Sequence, residues 1–236
     1  MKILAIDSST RRRSVALCEG VRGESNTLNV LGSSEAASER GGRFASLVAE
    51  VLDQSGIDRE EVEALAVGVG PGSAAGIRST LSFAWGWKLA RNVSLMGLSS
   101  VWGLAIEAQR LGLRGDLRVV LPGPMGKLIH GDFQVETECI KMARPLELVD
   151  QLSTEQLRTE NVTWVGPDLD SALAPLLESE SVGQIENRRV TLFPTATALA
   201  ELFMRDWRDA VRPLEPEALV SPKFVQAPPP REIPGI

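Results

Sequence analysis

The segment Lys2-Ile3-Leu4-Ala5-Ile6-Asp7 is an apolar run closed by a carboxylate. A run of this length, bounded by turn residues, reads as a buried strand. Ser14 to Glu19 reads as its hairpin partner, and a third strand is expected near Glu24 to Val30. The turn from Asp7 to Arg13 is rich in Ser, Thr and Arg. A helix is expected over Ala36 to Gln54, because Phe44, Leu47, Val48, Val51 and Leu52 recur at three- and four-residue spacing. Gly41-Gly42 weakens its early part. Val62 to Val69 reads as a strand, and Gly70-Pro71-Gly72-Ser73 as a tight turn. A second helix follows over Ala75 to Ala90, with Ile77, Leu81, Ala84, Trp85 and Leu89 as apolar positions. Ser94 to Leu98 adds a strand and Val101 to Leu111 a helix. Hairpin strands followed by alternating helix and strand predict an α/β fold with mixed sheets covered by helices.

The second half is less regular. Leu117 to Pro122 and Lys127 to Val135 read as two strands, and Glu147 to Leu152 as a short helix. Val162 to Val165 and Val190 to Phe193 read as strands, and Asp170 to Leu177 and Thr197 to Asp209 as helices. Residues 227–236 hold four prolines, which predicts an extended, mobile tail.

Composition excludes several classes. The 236 residues are 43 % hydrophobic and carry a formal charge of -6, so nothing global attracts the chain to a phosphate backbone. Arg11-Arg12-Arg13 is the one tight basic run and reads as a solvated turn. One histidine, His130, and two distant cysteines, Cys18 and Cys139, give no metal-ligand cluster. Cys18, in an apolar strand, reads as a buried thiol. No apolar run approaches the ~20 residues of a membrane span, and no signal peptide is visible. A cytoplasmic location is expected.

Two segments could carry chemistry. Asp7-Ser8-Ser9-Thr10 places a carboxylate and three hydroxyls at the end of a strand. That set can hold a metal-bound phosphate, or it can cap its own turn. Gly68 to Arg78 is a Gly-rich strand-to-helix turn whose N–H groups suit an anion. It lacks the Gly-Lys-Ser/Thr of a P-loop. It can equally be a tight turn with Ser73 as N-cap and Gly76 allowing close packing. Asp7, Ser9, Thr10, Gly70 and Gly72 are the candidate nucleotide-binding residues.

Taken together, these segments resemble the TsaB (YeaZ) family. The likeness lies in the first strand ending Asp7-Ser8-Ser9, the hairpin strand Ser14 to Leu17, and Gly70-Pro71-Gly72-Ser73-Ala74-Ala75-Gly76-Ile77-Arg78 at the head of the second long helix. Pro222-Lys223-Phe224-Val225-Gln226 weakly echoes a later family element. Ala74-Ala75 replaces the usual Phe-Thr, and Arg40-Gly41-Gly42 stands where the first helix usually begins His-Ser-Glu. The Asp-Ala-Arg-like element of the second lobe is not evident around Leu121 to Met125.

The resemblance implies an actin-like fold of the sugar kinase and Hsp70 superfamily, with two lobes. The first lobe would span 1–105 and the second 106–226, with the last helix, about 197–209, packing back on the first lobe. It implies a non-catalytic paralogue of TsaD, whose metal site uses two histidines that this chain cannot supply. The implied role is a scaffold for threonylcarbamoyl transfer to a tRNA adenosine next to the anticodon. The implied partners are a TsaD-like catalytic subunit and a TsaE-like ATPase, with tRNA met only through the complex and no cofactor or metal of its own. The pairing surface would be the two first-lobe helices, with Phe44, Leu47, Val48, Val51, Ile77, Leu81, Ala84 and Trp85 as candidates. The competing readings are a nucleotide-dependent small-molecule kinase or hydrolase on the same fold, and a homodimeric binding protein.

Overall fold

The computed structural model describes residues 1–24, 27–37, 44–153, 161–177 and 188–217. The Pro-rich segment 227–236, Pro222 to Gln226 and Arg40-Gly41-Gly42 lie outside the described residues.

The first sheet is built from β1 (Lys2–Asp7), β2 (Arg12–Glu19), β3 (Asn29–Ala37), β4 (Ala64–Gly68), β5 (Ser94–Leu98) and β11 (Val211–Arg212), in the order β11-β5-β4-β1-β2-β3. Helix α1 (Phe44–Ser55) connects β3 to β4, and α2 (Ala74–Arg91) connects β4 to β5. Strands β1, β4 and β5 run parallel, while β2 and β3 form an antiparallel meander with β1. After α3 (Ser100–Arg110) the same plan recurs. Strands β6 (Gly115–Pro122), β7 (Leu128–Val135) and β8 (Ile140–Val149) form a meander, then β9 (Thr163–Gly166), α4 (Leu169–Leu177) and β10 (Arg189–Thr191) follow. The second sheet runs β10-β9-β6-β7-β8, with β9 and β10 parallel to β6. The strand order within the meander-plus-parallel unit is therefore the same in both sheets. The chain closes with α5 (Ala196–Met204) and returns to the first sheet as β11.

Strand β1 explains the layering. Its alternation puts Leu4 and Ile6 on one face and Ile3 and Ala5 on the other, and both faces are buried. Leu4, Ile6, Val15, Leu17, Leu65 and Val67 pack beneath α1 and α2. On the opposite face, Ala5, Ala16, Ala64 and Ala66 present small side chains to a core that also holds Ala196, Ala198 and Ala200 of α5. Small residues on both elements let helix and sheet approach closely. The same core takes in α3 and Leu117, Val119, Phe133 and Val165 of the second sheet. Trp102 of α3 meets Phe133 edge-on at 5.2 Å between ring centroids. Helices α3 and α5 thus lie between the two sheets, and α4 covers the far face of the second. Residue 105 lies inside α3, whose buried side chains belong to this shared core.

Several expectations need correction. The stretch expected to begin the first helix is strand: β3 runs to Ala37, and the helix starts at Phe44. Backbone pairing with β2 decides that segment over its Ser, Glu and Ala content. The short helix expected from Glu147 is instead the end of β8. This strand edges the second sheet, where Pro145 removes no needed ladder bond. The last helix ends at Met204, and a single 3-10 turn, Arg208–Ala210, follows. No described helix is long and apolar enough to cross a membrane.

Candidate functional site

The two motif segments are clamped onto one another. Asp7 is fully buried at the end of β1. Its Oδ1 accepts from the Ser9 N–H at 2.8 Å and the Ser9 hydroxyl at 2.7 Å. Its Oδ2 accepts from the hydroxyl of Ser100, the first residue of α3, at 2.6 Å. Burial pushes the Asp7 carboxyl above its ordinary range, while the Ser100 and Ser9 hydrogen bonds pull it back down. Gly68 stands against it, and any Cβ there would collide with Oδ2.

Ser100 joins this carboxylate to the Gly-rich turn. Its Oγ accepts from the Gly70 N–H at 3.2 Å, and its own N–H donates to the Gly70 carbonyl at 2.8 Å. Gly70 takes φ +102°, a conformation that suits glycine. The Ser73 N–H donates to the Ser9 carbonyl at 2.7 Å, tying the turn to the end of β1. Ser73 then caps α2 by accepting from the Gly76 N–H at 3.3 Å. A Cβ on Gly76 would collide with the Ser8 carbonyl, so this glycine allows α2 to sit on the end of β1. Next door, the Ser99 hydroxyl donates to Glu217 at 2.8 Å, and the Arg212 guanidinium holds the same carboxylate at 2.9 Å.

Of the candidate nucleotide residues, Asp7, Ser9 and Gly70 are joined by this hydrogen-bond network, and Thr10 stands beside Ser9 and Gly72. Its hydroxyl donates to the Arg12 carbonyl at 2.9 Å and caps its own turn. Both Asp7 oxygens are occupied from within the chain, which makes the carboxylate a clamp. Among the described residues no group of three or more His, Cys, Asp or Glu side chains gathers. Ser9, Thr10 and Gly72 line a small recess of about 170 Å³. Beside it a cleft of about 1000 Å³ opens between the two sheets, with Ser73, Arg78, Ile129, Leu148 and Glu217 among its walls. Arg11 bridges the recess to Asp168 at 2.9 Å. Ser99, Ser100 and Glu217 escaped the sequence reading. Ser100 lies 93 positions from Asp7, and no spacing rule links them.

Of the expected pairing residues, Trp85 lies on the outward surface of the helix pair. Phe44, Leu47, Val48, Val51, Ile77, Leu81 and Ala84 are buried in this chain's own core. As side chains already covered within this chain, they offer a partner less area than the exposed residues of the same helices. The outward stripe of α2 is Arg78, Ser82, Trp85 and Leu89, at four-, three- and four-residue steps. Trp85 is 41 % and Leu89 84 % exposed. Trp87 turns inward and meets Phe83 at 5.4 Å, and Phe83 meets Phe44 of α1 at 5.4 Å, so an aromatic ladder fixes the two helices together. Ala45 and Ala49 of α1 and Gly86 and Ala90 of α2 are exposed small residues.

A family model described as TsaD, tRNA N6-adenosine threonylcarbamoyltransferase, matches residues 34–157, just over half of the chain. Curated relatives sharpen the match. The chain is 27 % identical over 192 residues to the tRNA threonylcarbamoyladenosine biosynthesis protein TsaB of Escherichia coli, covering 81 % of this chain and 71 % of that protein. It is 33 % identical over 111 residues to TsaB of Haemophilus influenzae, covering 47 % and 44 %. The chain belongs to the TsaB (YeaZ) family. The solved structure of YeaZ from Pseudomonas aeruginosa superposes with a TM-score of 0.71 at 20 % identity, over 92 % of this chain and 99 % of that one. At that identity the likeness speaks for the fold alone, two mixed sheets covered by helices.

Proposed function

We propose that the protein is a non-catalytic, cytoplasmic scaffold subunit for threonylcarbamoyl transfer to the tRNA adenosine next to the anticodon. In this reading it pairs with a TsaD-like catalytic subunit and allows a TsaE-like ATPase to join, and it meets tRNA only within that complex. Its family membership supports the pathway. The observation that carries the scaffold role is the outward stripe of α2. Trp85 and Leu89 stay open on a face that this chain's own core does not use. An exposed aromatic and leucine flanked by small residues suit a partner helix that approaches closely. The Asp7 clamp is consistent with the same role, since its carboxylate is committed to Ser9 and Ser100.

The test is co-purification of the full chain with the TsaD-like subunit of its own source, comparing wild type with Trp85→Glu/Leu89→Glu. Loss of the complex by a folded double variant is expected. Full retention overturns the placement of the interface on α2. A wild-type chain that binds no such subunit, yet turns over ATP–Mg, overturns the scaffold reading in favour of a kinase or hydrolase.

A further inference from the structure

Arg13 separates itself from the basic run in which it lies. Arg11 is exposed and paired with Asp168, Arg12 is exposed and paired with Glu35, and both guanidinium groups lie over the Phe193 ring. Both are exposed, as the solvated-turn reading expects, but Arg12 already belongs to β2. Arg13 is only 7 % exposed, and its Nε has no hydrogen-bond partner among the described residues. Its strand position explains why. Val15 and Leu17 face the core under α1 and α2, so Arg13, two residues earlier, is directed to the same side.

A second orphan stands opposite. Strands β1 and β2 pair Ile6 with Val15 and Asp7 with Ser14, where the pairing ends, and one further step of the same register would set Ser8 across from Arg13. Side chains directly opposite in an antiparallel pair share a face and lie within about 5 Å at Cβ. Ser8 is completely buried, and its hydroxyl has no partner among the described residues. The Ser8 carbonyl touches Gly76 in the first turn of α2, so the positive end of an 18-residue helix abuts this strand end. The cap from Ser73 serves the Gly76 N–H.

A guanidinium does not shed its proton, and burying it without a counter-charge is costly. The adjacent helix N-terminus adds further positive potential. One group satisfies all three at once: a small oxyanion, which accepts from the guanidinium and the hydroxyl and sits favourably at the helix end. We propose that Arg13 and Ser8, beside the first turn of α2, form a binding site for a single oxyanion, a phosphate or a carboxylate. The site lies on the opposite face of β1 from the Asp7 carboxylate and is independent of the scaffold role.

The experiment is thermal unfolding of the full chain in chloride buffer, titrated in parallel with inorganic phosphate and with acetate. Wild type, Arg13→Met and Ser8→Ala are compared at constant ionic strength. Wild type should show a saturable rise in Tm, about 3 °C at tenfold excess over Kd. Arg13→Met should lose that response and, in chloride alone, melt no lower than wild type, because it removes a buried charge that has no counter-ion among the described residues. Ser8→Ala should need several-fold more ion for the same rise, and it carries the comparison if Arg13→Met does not fold. The relative response to phosphate and acetate reads which geometry the site takes. Equal responses in wild type and variants, or no response to either ion in wild type, overturn the proposal.

Discussion

Replacing Ser100 by Ala tests the clamp that joins the two motif segments. One hydroxyl is removed, and two partners are stranded. Asp7 Oδ2 loses its 2.6 Å donor, and the Gly70 N–H loses its 3.2 Å acceptor. A hydrogen bond to a charged group contributes about 1.5–3 kcal/mol, and an unsatisfied buried polar group costs about 1–3 kcal/mol. The second bond is long, so the low end applies to it. The expected loss is about 3 kcal/mol, read as a fall in the urea midpoint with unchanged slope, followed by tryptophan fluorescence. The loss should also depend on pH. Because burial raises the Asp7 pKa in the folded state, the stability linked to Asp7 is greatest below the ordinary carboxylate value and is lost as pH rises through the folded value. Ser100 is the largest influence pulling that pKa down. Its removal raises the folded pKa further, so the variant should lose more at pH 8 than at pH 4.5. A loss below about 1 kcal/mol at pH 8, or an equal loss at both pH values, would refute the clamp.

Two further outcomes are expected. Burial pushes the Cys18 thiol up to about 12, so it should resist thiol reagents at pH 8 until the chain unfolds, while the half-buried Cys139 reacts first. Labelling of Cys18 at the rate of Cys139 in native protein would contradict its placement. Burial, then the nearby Arg118, lowers the His130 pKa below its ordinary value. The unfolded chain then binds the proton more readily, so stability linked to His130 is present above pH ~6.5 and falls as the pH drops below it. His130→Gln should flatten the stability profile between pH 7 and 5, and an unchanged slope in denaturant titrations would count against this.

The sequence disclosed those parts whose signals are local. Strand β1, the Gly-rich turn and α2 were legible because apolar runs there are bounded by Gly, Pro and Ser, and Ser73 and Gly76 behave as cap and close contact. Segments whose state depends on a distant neighbour were not legible. Strand β3 from Glu35 to Ala37 is made a strand by β2, and β8 around Glu147 by β7. Helical periodicity also picked out mainly the buried face of α1 and α2. It detects where apolar residues recur, and in a single chain that is the buried side, as Leu47 and Leu81 show. Trp85 and Leu89 share that composition but point outward, and only the packing separates them from Trp87. The repeat of strand order between the two sheets was invisible as well, since shared topology requires no shared side chains.

The return of the chain through α5 and β11 sets an order of events during synthesis. The face of the first sheet that carries Ala5, Ala16 and Ala66 shares its core with Ala196, Ala198 and Ala200. These residues leave the ribosome after the whole second sheet. Until then the alanine-lined face has no α5 to cover it, and β5 lacks its neighbour β11. Closing contacts so far apart in sequence slows folding. The amino-terminal sheet is the first part made and the last to receive its full cover.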